Sequence, residues 1–220
     1  MKLISEILEH NEEFREMLNR LPLQYLHIPG IRTGLSRLRT ERNVHNIKVK
    51  DSAQSRSGNS EHNLRNLLNT ISGERQSRLV NSLTLFEEMS ISCIHETKVL
   101  CVGPRDEIEI FSLLAHGIKQ ENIKAIDLIT YSELVQAADM HEIPFPDNEF
   151  DVVIGGWVST YSKEITSALK ESLRVLRPGG LLAIGWDASF TTLENRGTGH
   201  LDKREHIKIV NVKDICELLE

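Results

Sequence analysis

The 220-residue chain has few of the residues that staple or anchor unusual folds. It carries three cysteines, Cys93, Cys101 and Cys216, with neither the CxxC spacing of a zinc site nor the density of a disulfide scaffold. No metal centre is expected, and a reducing cytoplasm fits best. Basic residues are outnumbered, 26 Lys+Arg against 32 Asp+Glu for a formal net charge of -6, so the electrostatic footprint for gripping nucleic acid is missing. No apolar run approaches the roughly 18 residues of a membrane span. A carboxylate at Glu6 comes too early for a signal peptide. Aromatics are scarce at 5%, yet a 40% hydrophobic content is enough for a real core.

What is present divides into two textures. Residues 1–92 read as a mostly helical N-terminal region. An apolar stripe runs from Leu3 and Ile4 through Phe14 to Leu21, and Pro22 ends it. The stretch after Pro22 shows little apolar periodicity. Residues 51–63 are too polar to pack and predict a loop. Ser60 is placed to cap a helix carrying Leu64, Leu67, Leu68 and Ile71, and a further helix carries Leu79, Leu83 and Phe86.

Residues 93–220 read as an α/β domain. Short β-rich runs at Lys98–Val102, Ile123–Leu128, Asp151–Gly155 and Leu181–Trp186 alternate with helical ones at Glu107–His116 and Lys163–Leu176. That alternation predicts a mostly parallel, Rossmann-like sheet covered by helices. The runs around Leu100, Val153 and Leu182 are almost continuously apolar, as strands buried on both faces must be.

In such a sheet a ligand lies beyond the carboxyl ends of the strands. Gly103, directly after the first buried run, allows close backbone approach and precedes a helix N-terminus. Asp127 follows it by 24 residues, near the roughly 20 at which a carboxylate takes a ribose diol, so a nucleoside is implied. Asp139 and Met140 are placed to flank an adenine ring. The small Gly155-Gly156 pair leaves room between cofactor and acceptor. The second and third glycines of a dinucleotide fingerprint are replaced by Arg105 and Ile108, and no P-loop occurs.

The segments Val99-Leu100-Cys101-Val102-Gly103, Ile126-Asp127, Ala138 through Val153 with Pro144-Phe145-Pro146-Asp147-Asn148-Glu149-Phe150-Asp151, and Leu173 through Leu182 with Arg177-Pro178-Gly179-Gly180, together resemble the class I S-adenosylmethionine (SAM) methyltransferases of the methyltransferase-11 group. The resemblance covers about 90 residues. It implies SAM as cofactor and methyl transfer to a small molecule or glycan precursor.

The family's first loop has an acid on the strand and three alternate glycines, where this chain has Cys101, Gly103, Arg105 and Glu107. On the resemblance, Arg105 pairs with the methionine carboxylate, and Glu107 or Glu109 takes the ammonium. His141 is the candidate general base. Tyr131, Trp157 and Tyr161 are candidate substrate contacts. Only 12 residues separate Asp127 from Asp139, which predicts that the usual intervening helix is reduced or absent. Arg177-Pro178-Gly179-Gly180 reads as a tight turn between helix and strand. Ile207–Val210 and Val212–Leu219 offer one last strand and one helix, so either the sequence is a fragment or a sheet edge is left open for another segment, with self-association as a homo-oligomer expected otherwise. The rival reading is a methyltransferase-like fold without catalysis, serving as a binding or scaffold subunit.

Overall fold

The computed structural model describes residues 23–51, 64, 77–80, 94–156, 158 and 161–185. The expected helix before Pro22, most of the 51–63 loop, most of the helices around Leu64 and Phe86, Trp157 and everything after Gly185 lie outside them.

Among the described residues the elements run α1 (Pro29–Asn43), β1 (Lys48–Val49), α2 (Ser77–Val80), β2 (Val99–Val102), α3 (Ile108–Ala115), β3 (Ile123–Asp127), β4 (Ile129–Thr130), β5 (Gln136–Ala137), β6 (Phe150–Gly156), α4 (Ile165–Val175) and β7 (Leu176–Gly185). Five strands form one parallel sheet in the order β5-β3-β2-β6-β7. This is the Rossmann-like α/β fold expected from the alternation of apolar runs.

The centre of the sheet follows from β2. All four of its residues are buried, and strands pair on both of its edges. Val99 and Cys101 join the layer with Ile110, Leu113 and Leu114 of α3, whereas Leu100 and Val102 join the opposite layer with Ile126, Phe150 and Val175. A strand whose alternate side chains enter two cores has no polar face, hence the unbroken run Val-Leu-Cys-Val.

No helix lies between β3 and β5. The chain makes the short strand β4, turns, and returns in parallel, as the 12-residue spacing predicts. Beside that edge a groove of about 570 Å³ opens among Ile110, Ile123, Ala125, Leu134 and Gln136.

Two elements differ from expectation. Helix α1 fills a stretch with no apolar periodicity, because the face it buries is polar: Arg32, Ser36 and Thr40, four residues apart. Arg32 Nη1 donates to the Leu26 carbonyl at 2.5 Å, and Thr40 Oγ1 donates to the Ser36 carbonyl at 2.9 Å. Pro29 at the first turn fits the start, where its missing N–H costs nothing. Strand β7 begins at Leu176, five residues earlier than the apolar run suggests. Its pairing with β6 jumps from Phe150↔Leu176 to Val152↔Leu181, so Arg177-Pro178-Gly179-Gly180 bulges out within a strand instead of joining helix to strand.

Two of the four segments that carry the family resemblance, Ala138–Val153 and Leu173–Leu182, are one structural unit. Arg174 donates to the carbonyls of Ile143 and Phe145, each at 2.9 Å, and to Asp147 and Glu171 at 2.7 Å. Glu171 in turn accepts the Ile143 N–H at 2.9 Å. Helix α4 thereby clamps the loop that leaves β5. At the bulge, a Cβ on Gly180 would sit 2.7 Å from both the Asp151 carbonyl oxygen and Leu176 Cδ1. Gly180→Ala is therefore expected to cost about 1–3 kcal/mol of overpacking, read as a lower midpoint in urea with an unchanged slope; an unchanged midpoint refutes this.

Candidate functional site

The carboxyl ends of β2, β3, β5 and β6 carry the residues expected to matter. Gly103 leaves β2 at φ 71, a left-handed conformation that glycine tolerates best. Its Cβ position would lie 2.5 Å from Val158 Cγ2, so the chain after β6 packs directly on this loop. Arg105 is also left-handed, at φ 56, and stands where the family has glycine. A side chain there costs about 1 kcal/mol. The loop is held in this shape by Asp127, whose Oδ2 accepts the Arg105 N–H at 3.0 Å and whose Oδ1 accepts the Ile129 N–H at 3.1 Å. Burial pushes the Asp127 carboxyl up from its ordinary range, against the pull of those N–H groups and of the Arg105 charge. Each carboxylate oxygen has a second lone pair, so the anchor can still receive a ribose hydroxyl.

Glu107 does not have that freedom. It is fully buried; Arg39 Nε of α1 reaches its Oε2 at 2.5 Å and Ser132 Oγ donates to Oε1 at 2.5 Å. What closes Glu107 is its complete burial between Arg39 and Ser132, which in this arrangement leaves no face of the carboxylate open to a cofactor ammonium. The same arm covers Tyr131. It is buried, with its hydroxyl beside Ser36 and Thr40 but in hydrogen-bond geometry with neither. Burial first, then the Glu107 charge, pushes the phenol up to about 12. Tyr131, a candidate substrate contact from the sequence, is thus buried in the seam between α1 and the sheet. Strand β1 completes the seam, pairing antiparallel with β4, and the Lys50 N–H donates to the Leu128 carbonyl at 2.7 Å. Arg39 and its contact with the first loop had no signal in the apolar pattern.

On the other side of the mouth, Met140 lies in a narrow apolar crevice with Val102, Val153, Gly155, Val158 and Leu182. Asp139 is buried and turned toward His141: its Oδ1 accepts the His141 backbone N–H at 3.0 Å and faces the ring Nδ1 at 2.6 Å. His141 Nε2 faces Ser162 Oγ at 2.6 Å. Ser162, buried before α4, was not singled out from the sequence; its one signal is a hydroxyl three residues ahead of a helix. Tyr161 is half-buried, and its N–H donates to the Val158 carbonyl at 3.0 Å. Among the described residues no cluster of three His, Cys, Asp or Glu side chains is placed to hold a metal ion, and no helix is long and apolar enough to cross a membrane.

The methyltransferase domain family matches residues 112–184. A ubiquinone/menaquinone biosynthesis C-methyltransferase UbiE of Pseudomonas savastanoi is 35% identical over 85 residues, which are 38% of this chain and 33% of that protein. A demethylmenaquinone methyltransferase of Listeria welshimeri is 36% identical over 84 residues, 37% of this chain and 35% of the relative. Residues 112–184, a third of the chain, are thus similar to a methyltransferase domain. The chain spans about a third of the length of the curated relatives it matches. A solved structure from Methanococcus maripaludis, assigned as a SAM-dependent methyltransferase, shares 15% identity at a TM-score of 0.41, over 63% of this chain and 66% of that one.

A methyltransferase domain of this type implies S-adenosyl-L-methionine as cofactor, and the site fits it unevenly. Gly103, Asp127 and Met140 suit the nucleoside half, whereas Glu107 is taken by Arg39. Glu109, on the first turn of α3, is the other carboxylate nearby. It is fully buried, and neither oxygen meets a hydrogen-bond partner. Burial holds it protonated up to about pH 8, the Cys101 thiol pulling downward and Asp106 upward. The folded state therefore keeps a proton that the unfolded chain releases near pH 4.3, so stability falls as pH rises from about 5 to 8. Glu109→Gln is expected to remove that fall, worth on the order of a few kcal/mol. Thermal melts of both proteins across that range check it; parallel curves would refute it.

Proposed function

We propose that the chain transfers a methyl group from S-adenosylmethionine to a small organic acceptor. The observation that carries this is the tie between Asp127 and the Arg105 N–H at the mouth of a methyltransferase domain. It sets the first loop and the ribose-type carboxylate side by side, where a nucleoside cofactor needs them. On this reading Gly103 lets the backbone close on the cofactor, Asp127 takes the ribose diol, and Met140 lies against the adenine. Arg105 takes the methionine carboxylate. The bound cofactor supplies a methyl group on a positively charged sulfur, and the protein's share is alignment and exclusion of water. The quinone-related methyltransferases that this chain resembles favour a ring-bearing small molecule over a glycan precursor.

One observation favours a second reading, a binding subunit without catalysis. The Arg39–Glu107 pair closes the loop from within the chain, and two of the family's three glycines are replaced.

Calorimetric titration separates the two. SAM and its demethylated product are expected to bind, and Asp127→Asn is expected to weaken both by about 10–100-fold, the loss of a hydrogen bond to a charged acceptor. Absence of heat and of any thermal shift at millimolar ligand would sink the enzyme reading.

A further inference from the structure

The hydrogen bond that shapes the first loop, from the Arg105 N–H to Asp127 Oδ2, is gripped from both sides by the N-terminal arm. Two residues past Arg105, Glu107 Oε2 accepts Arg39 Nε of α1 at 2.5 Å. One residue past Asp127, the Leu128 carbonyl accepts the Lys50 N–H at 2.7 Å, and β1 extends that contact by pairing with β4. The loop needs such a grip. Arg105 is left-handed at φ 56, a conformation that a residue with a side chain leaves unless its surroundings impose it.

The grip at Glu107 is unequal. The Arg39 side chain is 38% exposed and that of Glu107 0%. With Arg39 gone, the carboxylate would keep only the Ser132 hydroxyl on Oε1 and would have no counter-charge. The titratable groups placed around the pair supply none. Asp106 in the loop, Glu109 on α3, and Tyr131 and Glu133 in the segment after β4 are all acids, and the Arg105 charge acts on Asp127. Glu109 shows what a lone carboxyl does in this core: fully buried with neither oxygen hydrogen-bonded, it keeps its proton up to about pH 8.

Resting on the methyl-transfer reading, we propose that Arg39 is a positioning residue for the cofactor. By keeping Glu107 buried in its charged form, Arg39 fixes the first loop in the shape that sets Gly103, Arg105 and Asp127 around a nucleoside. Arg39 touches neither cofactor nor acceptor and acts through Glu107. Arm and cofactor then favour each other's docking, because both select the same loop conformation. Without the guanidinium, the Glu107 carboxyl stays in its dry site only as the neutral acid, so the loop keeps its shape at low pH. As pH rises the ionised group must leave for water, and the loop goes with it. Wild type has no such step, since arginine stays charged throughout.

The test is calorimetric titration of the full chain with SAM at pH values from about 5 to about 8. Arg39→Ala is expected to bind within a few-fold of wild type at the low end and about 10–100-fold more weakly at the high end. Arg39→Lys, which keeps a cation, should retain most of the affinity. Arg39→Ala combined with Glu107→Gln leaves nothing to ionise at the pair, and its Kd should follow that of wild type across the range; the drift contributed by Glu109 is common to all four proteins and cancels. An Arg39→Ala protein whose Kd parallels wild type, or tightens as pH rises, overturns the proposal. So does a double variant that binds about 10-fold or more weakly than wild type, a comparison that holds even where Arg39→Ala alone does not fold. A second measurement needs no cofactor: hydrogen-exchange protection of the Arg105 amide in unliganded Arg39→Ala should fall as pH rises, and undiminished protection overturns the grip. Wild type that does not bind SAM sinks the methyl-transfer reading itself, a different failure, in which hydrogen exchange still decides whether Arg39 holds the loop.

Discussion

The rest of the structure depends on the complete burial of β2. Val99, Leu100 and Cys101 are all 0% exposed and Val102 only 4%, with paired neighbours on both edges. Every backbone N–H and C=O in such a strand must be met by another strand, because no water reaches it. Parallel neighbours require crossovers, and crossovers cover the two faces. Once this is set, the carboxyl ends of β2, β3 and β6 open on the same side. Gly103, Asp127 and the Gly155-Gly156 pair share one mouth because their strands are in register, not because of any contact among their side chains.

That constraint explains why so much of the sheet was legible in the sequence. A strand buried on both faces has a continuous apolar run, so β2, β6 and the second half of β7 are visible directly, and the missing crossover helix can be read from a short spacing. The N-terminal arm was not legible, for the converse reason. Helix α1 buries Arg32, Ser36 and Thr40, whose polar atoms find partners such as the Leu26 and Ser36 carbonyls instead of an apolar core. A hydrophobic period has nothing to register when the buried stripe is polar. The bulge at Arg177–Gly180 escaped for another reason: a Pro-Gly-Gly run signals a turn but not whether strand pairing resumes on both sides of it.

The site divides along the same line. Residues fixed by backbone position stand where the spacing puts them. Gly103 is left-handed at the end of β2, and Asp127 lies within a hydrogen bond of the Arg105 N–H. Roles that depend on which partner a side chain chooses were not readable. Glu107 could serve a cofactor in any sequence lacking Arg39, and only the fold reveals that the arm reaches it across 68 residues of chain. His141 was visible as an isolated histidine; of the partners that give it direction, Asp139 is two residues away in the same loop, whereas Ser162 lies 21 residues on, in a loop that only the fold brings to it.

The two sides of the mouth therefore have different physical characters. On the β3 side, α1 and β1 lay a second surface over the first loop, with the buried Glu107 charge offset by Arg39 and by the Ser132 hydroxyl. Removing the cation alone would strand that carboxylate, the costly half of any buried pair, so loop and arm are energetically one object. On the β6 side, Val158 packs onto Gly103 while a hydrogen bond between Ser162 and His141 joins their loops. Pulling the half-exposed Arg39 away would leave the fully buried Glu107 carboxylate without its cation, which costs more than parting apolar side chains and a neutral hydrogen bond. Entry of a ligand between the first loop and its covering should accordingly open the Val158 and Ser162 side first and leave the Arg39 side in place. A ligand entering there would then arrive next to the His141 ring, which faces the Ser162 hydroxyl through Nε2.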